Sequence, residues 1–113
     1  MDDVNVIDRE AAVTYASWFR SLGDATRVQI LNVMARSREP MRVCDIVEAV
    51  DVGQSTVSQH LKVLAEVGFV LVERRGTASW YRVNESCISC FPSAADLVMG
   101  RLPAHAEAPW KAA

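Results

Sequence analysis

From Val52 to Leu64 the chain reads VGQSTVSQHLKVL. A helix gathers Val57, Leu61 and Leu64 on one side, because they fall four and three residues apart. Gln54, Ser55, Thr56, Ser58, Gln59, His60 and Lys62 occupy most of the rest, and all carry hydrogen-bonding side chains. A strand would need period-two alternation, which is absent, and a fully buried helix would be apolar all round. The segment therefore has to rest its seam on a core built elsewhere in the chain and turn a polar face outward.

The flanks supply that core. Val13, Tyr15, Ala16, Trp18, Phe19 and Leu22 recur at mixed three- and four-residue spacing, which predicts a helix α1 over about Asp8–Leu22, ended by Gly23. Asp24 offers an N-cap for α2 over Ala25–Ala35, with Val28, Ile30, Leu31 and Met34 as its core stripe. The polar connection Ser37-Arg38-Glu39-Pro40 leads to a short α3 over Arg42–Val50, with Val43, Ile46, Val47 and Val50 on one side. Asp51-Val52-Gly53 is a tight link in which the glycine is expected to relieve the turn, and α4 covers Gln54–Val67 with Gly68 just past its end. Val70–Arg74 reads as strand β1, Arg75–Ala78 as a turn and Ser79–Val83 as strand β2. Asn84 is expected to cap a short turn reaching Cys90. Pro92 lacks an N–H and crowds the preceding turn, which restricts α5 to about Phe91–Gly100, with Leu97 and Val98 as its apolar face. Residues 102–113 read as a frayed tail, so the 113 residues are expected to form one domain with a core of about 9–101.

This order, mainly α with one hairpin (α+β), is that of a winged helix-turn-helix. In that arrangement the second helix of the motif enters the DNA major groove with its N-terminal residues toward the bases. Gln54, Ser55, Thr56, Ser58, Gln59, His60 and Lys62 suit base edges and phosphates, and Arg74 and Arg75 at the wing tip suit phosphates or a minor groove. Singly, these are a solvated helix and a basic hairpin; their order and short connections favour DNA.

The net charge of −2 looks wrong for that partner, but its distribution is uneven. Residues 1–24 hold five carboxylates against two arginines, whereas residues 54–82 hold four cations against two carboxylates. The bias is modest, so tight binding needs two copies of the surface, and so small a chain also gains from a dimer interface. The acidic N-terminus and the lack of a membrane-length apolar run predict a cytoplasmic protein, in which the three cysteines remain thiols. No nucleophile–base pair, phosphate loop or paired acid is present, which argues against an enzyme.

At this point the chain resembles the ArsR/SmtB family of metal-sensing winged-helix repressors. The resemblance runs through Phe19–Leu31 (FRSLGDATRVQIL), Val43-Cys44-Asp45-Ile46, Ser55–Leu64, Gly68-Phe69-Val70 and the wing from Arg75-Gly76 to Trp80-Tyr81, about residues 10–85. It implies an α1-α2-α3-α4-β1-β2-α5 fold and a homodimer built on the terminal helices. It also implies a repressor that leaves an inverted-repeat operator when an inducer binds.

Three cysteines are the candidate trigger. Cys87 and Cys90 form C-I-S-C around the start of the last helix, where its dipole and unpaired N–H groups are expected to favour thiolates. Two sulfurs on one turn suit a soft ion. Several arsenic sensors of the family carry C-V-C-D at the third helix, whereas this chain has Arg42-Val43-Cys44-Asp45. Cys44 with Cys87 and Cys90 would still supply three thiolates for arsenite. Alternatively Cys44 is a small hydrophobe. The family's other site, for zinc, nickel or cobalt, uses Asp and His on the last helix; here Asp96 is present, with His105 and Glu107 as poor substitutes. The readings carried forward are a repressor released by an arsenite-like thiophilic inducer, and a regulator that answers nickel or zinc through non-thiol ligands or answers no metal. A third is a dimeric interaction module with no operator.

Overall fold

The computed structural model describes residues 6–102, apart from the side chain of Ile88. The elements are α1 (Arg9–Ser21), α2 (Ala25–Ser37), α3 (Val43–Val50), α4 (Gln54–Glu66), β1 (Val70–Arg75), β2 (Ala78–Val83) and α5 (Glu85–Val98). Order and number match the sequence expectation. The tail expected to fray lies outside the described residues, His105 and Glu107 included, apart from Leu102, which is exposed.

Local chemistry explains the boundaries. The Asp8 carboxylate accepts from the Ala11 N–H at 2.8 Å, and Asp24 accepts from Thr26 and Arg27 at 2.9 and 3.2 Å, so each satisfies donors that a helix start leaves unpaired. At α3 the Asp45 carboxylate reaches back to the Arg42 N–H at 3.0 Å, one half of a capping box. The α3–α4 link turns differently from expectation. Gly53 keeps an ordinary φ of −65°, and Asp51 takes the left-handed conformation at φ 57°. An aspartate tolerates that region better than most residues, so the glycine is not what makes the turn. In the wing, Gly76 at φ 63° supplies the positive φ of a two-residue hairpin connection, and β1 pairs antiparallel with β2 from Val70↔Val83 to Arg75↔Ala78.

The largest correction is α5, which begins at Glu85 and runs through Pro92. The missing N–H costs one helical rung, but both sides of it are held by packing: Cys87, Cys90 and Phe91 lie against the core and Ala94 and Leu97 are buried within it. Tertiary contact overrides the local break. Asn84 does stand at the N-cap position, but its side chain makes no cap bond. Its Nδ2 donates instead to the Gly68 carbonyl at 2.9 Å, tying the start of α5 to the end of α4.

The core joins Tyr15 and Trp18 of α1, Ile30, Leu31 and Met34 of α2, Ile46, the α4 seam, Phe69, Val70, Val83, Ala94 and Leu97. Trp18, Phe69 and Phe91 form a mutually tilted aromatic group with centroids 5.6–6.2 Å apart, favourable ring geometry that locks α1 and α5 onto the chain between them. Several residues expected inside are not. Val13, Val28 and Val98 are 55%, 47% and 44% exposed, and Ala16 is exposed as well.

Candidate nucleic-acid interface

Val57, Leu61 and Leu64 are fully buried, which fixes the rotation of α4 about its axis. That rotation leaves Gln54, Ser55, Thr56, Ser58, Gln59 and Lys62 exposed. Gln54, Ser55, Ser58, Gln59 and Lys62 line one open groove. A second groove, lined by Ser58, Leu61, Lys62, Ala65, Glu66, Val72 and Tyr81, runs between α4 and the wing. The helix thus offers amides, hydroxyls and one ammonium on an exposed strip beside a two-stranded wing.

His60 departs from the rest of that set. It is half-buried and turned back onto the N-terminus of α2. Its Nδ1 lies 3.2 Å from Arg27 Nη1 and its Nε2 lies 3.8 Å from Asp24 Oδ1. Arg27 Nε also donates to the Ser21 carbonyl. His60 therefore fastens α4 to the α1–α2 corner and is not presented to a groove. Asp24 is held below the ordinary carboxylate range, first by the Arg27 backbone N–H and further by His60, the Thr26 N–H and Arg27.

The wing arginines also differ from one another. Both end β1, which runs one residue further than expected and takes in Arg75 from the predicted turn, and both are exposed. Arg75 is paired with Glu73, Nε to Oε2 at 3.2 Å, and packs on Trp80 with its guanidinium carbon 4.9 Å from the ring centroid. Sequence reasoning missed Arg42, which packs on the same ring at 5.3 Å. Nothing in the local sequence ties it to the wing; only the folded hairpin brings Trp80 to it.

Cys87 and Cys90 share one side of α5 and lie against the core, whereas Cys44 is exposed near the start of α3. Among the described residues no three of His, Cys, Asp and Glu come together to hold a metal ion. Cys44 is thus not brought to the α5 pair within one chain. Burial pushes the Cys87 thiol up to about 11, with a smaller contribution from Cys90. That reverses the expected thiolate: desolvation outweighs the helix terminus.

Among the described residues no helix is long and apolar enough to cross a membrane. Residues 24–71 match the family described as bacterial regulatory protein, arsR family. The arsenical resistance operon repressor of Bacillus subtilis is 35% identical over 71 residues, 63% of this chain and 67% of that protein. A probable mercury resistance operon repressor of Streptomyces lividans is 36% identical over 86 residues, 76% of this chain and 62% of that one. The solution structure of a homodimeric winged helix-turn-helix DNA-binding domain from Mycobacterium bovis, a possible ArsR-family transcriptional regulator, superimposes with a TM-score of 0.65. It is 27% identical and covers 93% of this chain and 98% of that one.

Proposed function

The chain belongs to the arsR family of bacterial regulatory proteins, DNA-binding regulators rather than enzymes, and on that premise we propose that it is a dimeric repressor released from its operator by a thiophilic inducer. The observation that carries the DNA-binding part is the geometry of α4. Its apolar seam is sealed in the core, and the polar residues it leaves exposed lie beside a wing. Gln54, Ser55, Thr56, Ser58, Gln59 and Lys62 read or hold DNA, Arg74 and Arg75 hold its backbone, and His60 sets the angle of the helix. The single winged-helix unit acts in the cytoplasm, where its DNA is.

Apolar residues on the terminal helices support the dimer. Val13 and Phe19 on α1 and Val98 and Met99 at the end of α5 are exposed, a burden in a lone chain and an interface in a pair. A two-fold dimer presents two reading helices to an inverted repeat.

Cys87 and Cys90 take the inducer, and arsenite fits their surroundings better than a divalent ion. Two thiols condense with As(OH)3 to give (RS)2As–OH and two waters, so the raised Cys87 pKa imposes no proton loss. The product is neutral, as an apolar site requires. A divalent cation has to expel protons instead. A third sulfur comes from Cys44 only if the partner's copy approaches. The adduct forms beside the helices that carry the dimer face, where a change in their spacing moves the two reading helices out of step.

Arsenite added to the reduced protein is expected to weaken operator binding, with little dependence on pH near neutrality, and Cys87→Ser with Cys90→Ser is expected to abolish the response. An undiminished response in the double variant contradicts the thiol site. Release by nickel or zinc without sulfur-to-metal absorbance would transfer the role to non-thiol ligands.

A further inference from the structure

Two guanidiniums from distant parts of the chain pack on one indole. Arg42, just before α3, lies 5.3 Å from the Trp80 ring centroid, and Arg75, at the end of β1, lies 4.9 Å from it. Both are within reach of the ring's attraction for cations. The meeting is enforced by backbone. Met41 and Tyr81 exchange two hydrogen bonds of 2.8 Å, an isolated antiparallel bridge that holds the segment entering α3 against β2. Arg42 and Trp80 are the next residues on either side of that bridge.

Each guanidinium is also steadied by one carboxylate. Arg42 Nε lies 3.8 Å from Asp45, and Arg75 Nε lies 3.2 Å from Glu73. All four side chains are 42–50% exposed, so these pairs contribute little to stability. Their effect is orientation. The four charges cancel, so the group exerts little long-range pull; its affinity appears on contact, when an acceptor meets planar donors already held in place. A guanidinium has five N–H donors, more than one carboxylate takes up: Glu73 accepts from Nε and Nη2 of Arg75 at 3.2 and 3.5 Å.

The position selects the ligand. In a helix-turn-helix the first helix crosses the DNA backbone. Arg42 stands at the start of that helix, Arg75 beside the wing turn, and Trp80 joins them. We propose that Arg42 and Arg75, set on Trp80, form a phosphate clamp that grips the operator backbone beyond the reading helix. The clamp rests on the DNA-binding reading above. Its ligand is a phosphodiester of duplex DNA, and it carries no base preference.

The test is Arg42→Ala in the full chain, titrated against a duplex from the protein's own promoter and an unrelated duplex over a range of salt. The expected result is the same loss on both, about tenfold, with the salt slope reduced by roughly one phosphate per chain. Arg42→Lys keeps the charge without the fork and is expected to restore the slope but only part of the affinity. Arg42 is exposed, so both variants should melt like the parent. Unchanged affinity and slope in Arg42→Ala overturn the clamp, and so does a loss confined to the promoter duplex. A parent protein that binds neither duplex overturns the DNA-binding reading, and the clamp with it.

Discussion

The reading helix α4 and the pair of terminal helices, α1 and α5, solve opposite problems with similar periodicities. In α4 the apolar seam is completely buried and the exposed positions are polar. In α1 and α5 the core-facing residues Tyr15, Trp18, Ala94 and Leu97 are buried too, yet Val13, Phe19, Val98 and Met99 stay 38–73% exposed. One surface is finished with respect to protein and open to a polar polymer. The other is unfinished until a second apolar surface covers it. On the proposed reading the two surfaces belong to different partners, DNA for the first and a second copy of the chain for the other.

Charging the unfinished surface is the strongest way to break this contrast. Val13→Glu with Met99→Glu should leave a folded monomer, because neither side chain is buried. Losing the second reading head then removes the advantage of linked binding, a factor of about 10²–10⁴ in operator affinity. Sedimentation and gel shift check the two halves, and a double variant that stays dimeric refutes the assignment of the face.

Within α4 the two sides should fail differently. Leu61→Ala opens a cavity under a fully buried side chain and is expected to cost about 2–5 kcal/mol in denaturant unfolding. Gln59→Ala on the exposed side should leave unfolding unchanged and remove about 1–3 kcal/mol of preference for operator over unrelated DNA. A stability loss in Gln59→Ala would mean that the polar side is structural.

The smallest effect concerns the corner that aims α4. Asp24 has a lowered pKa in the fold, so its contribution to stability is present above its ordinary value of 3.8 and is lost as pH falls through the folded value. Asn at this position keeps a cap acceptor but cannot titrate. Asp24→Asn should therefore remove the acid-side slope from a melting profile measured against pH; the same slope in the variant would locate the titration elsewhere.

Much of this was legible in the sequence, and the misses have physical causes. The α4 seam, the N-cap at Asp24 and the hairpin follow from local spacing and turn chemistry, and local rules hold there. Pro92 misled because its cost of one rung is set against the packing of Phe91, Ala94 and Leu97, which spacing cannot weigh. Val13 and Val28 read as core because periodicity reports that a side chain is apolar, not which apolar surface it meets. His60 read as a DNA contact because it lies among polar neighbours, while its actual partners, Asp24 and Arg27, stand more than thirty residues earlier. Cys87 looked ionised from its place on the helix, but burial against other elements pushes its thiol up.

The most direct test of the central claim is a salt titration of the reduced parent protein on a duplex from its own promoter, read against the unrelated duplex. The account predicts binding that steepens with protein concentration as dimers form. It also predicts a logarithmic fall in affinity with salt on both duplexes, and tighter binding to the promoter at every salt. A flat salt response, or no binding to either duplex, would contradict it.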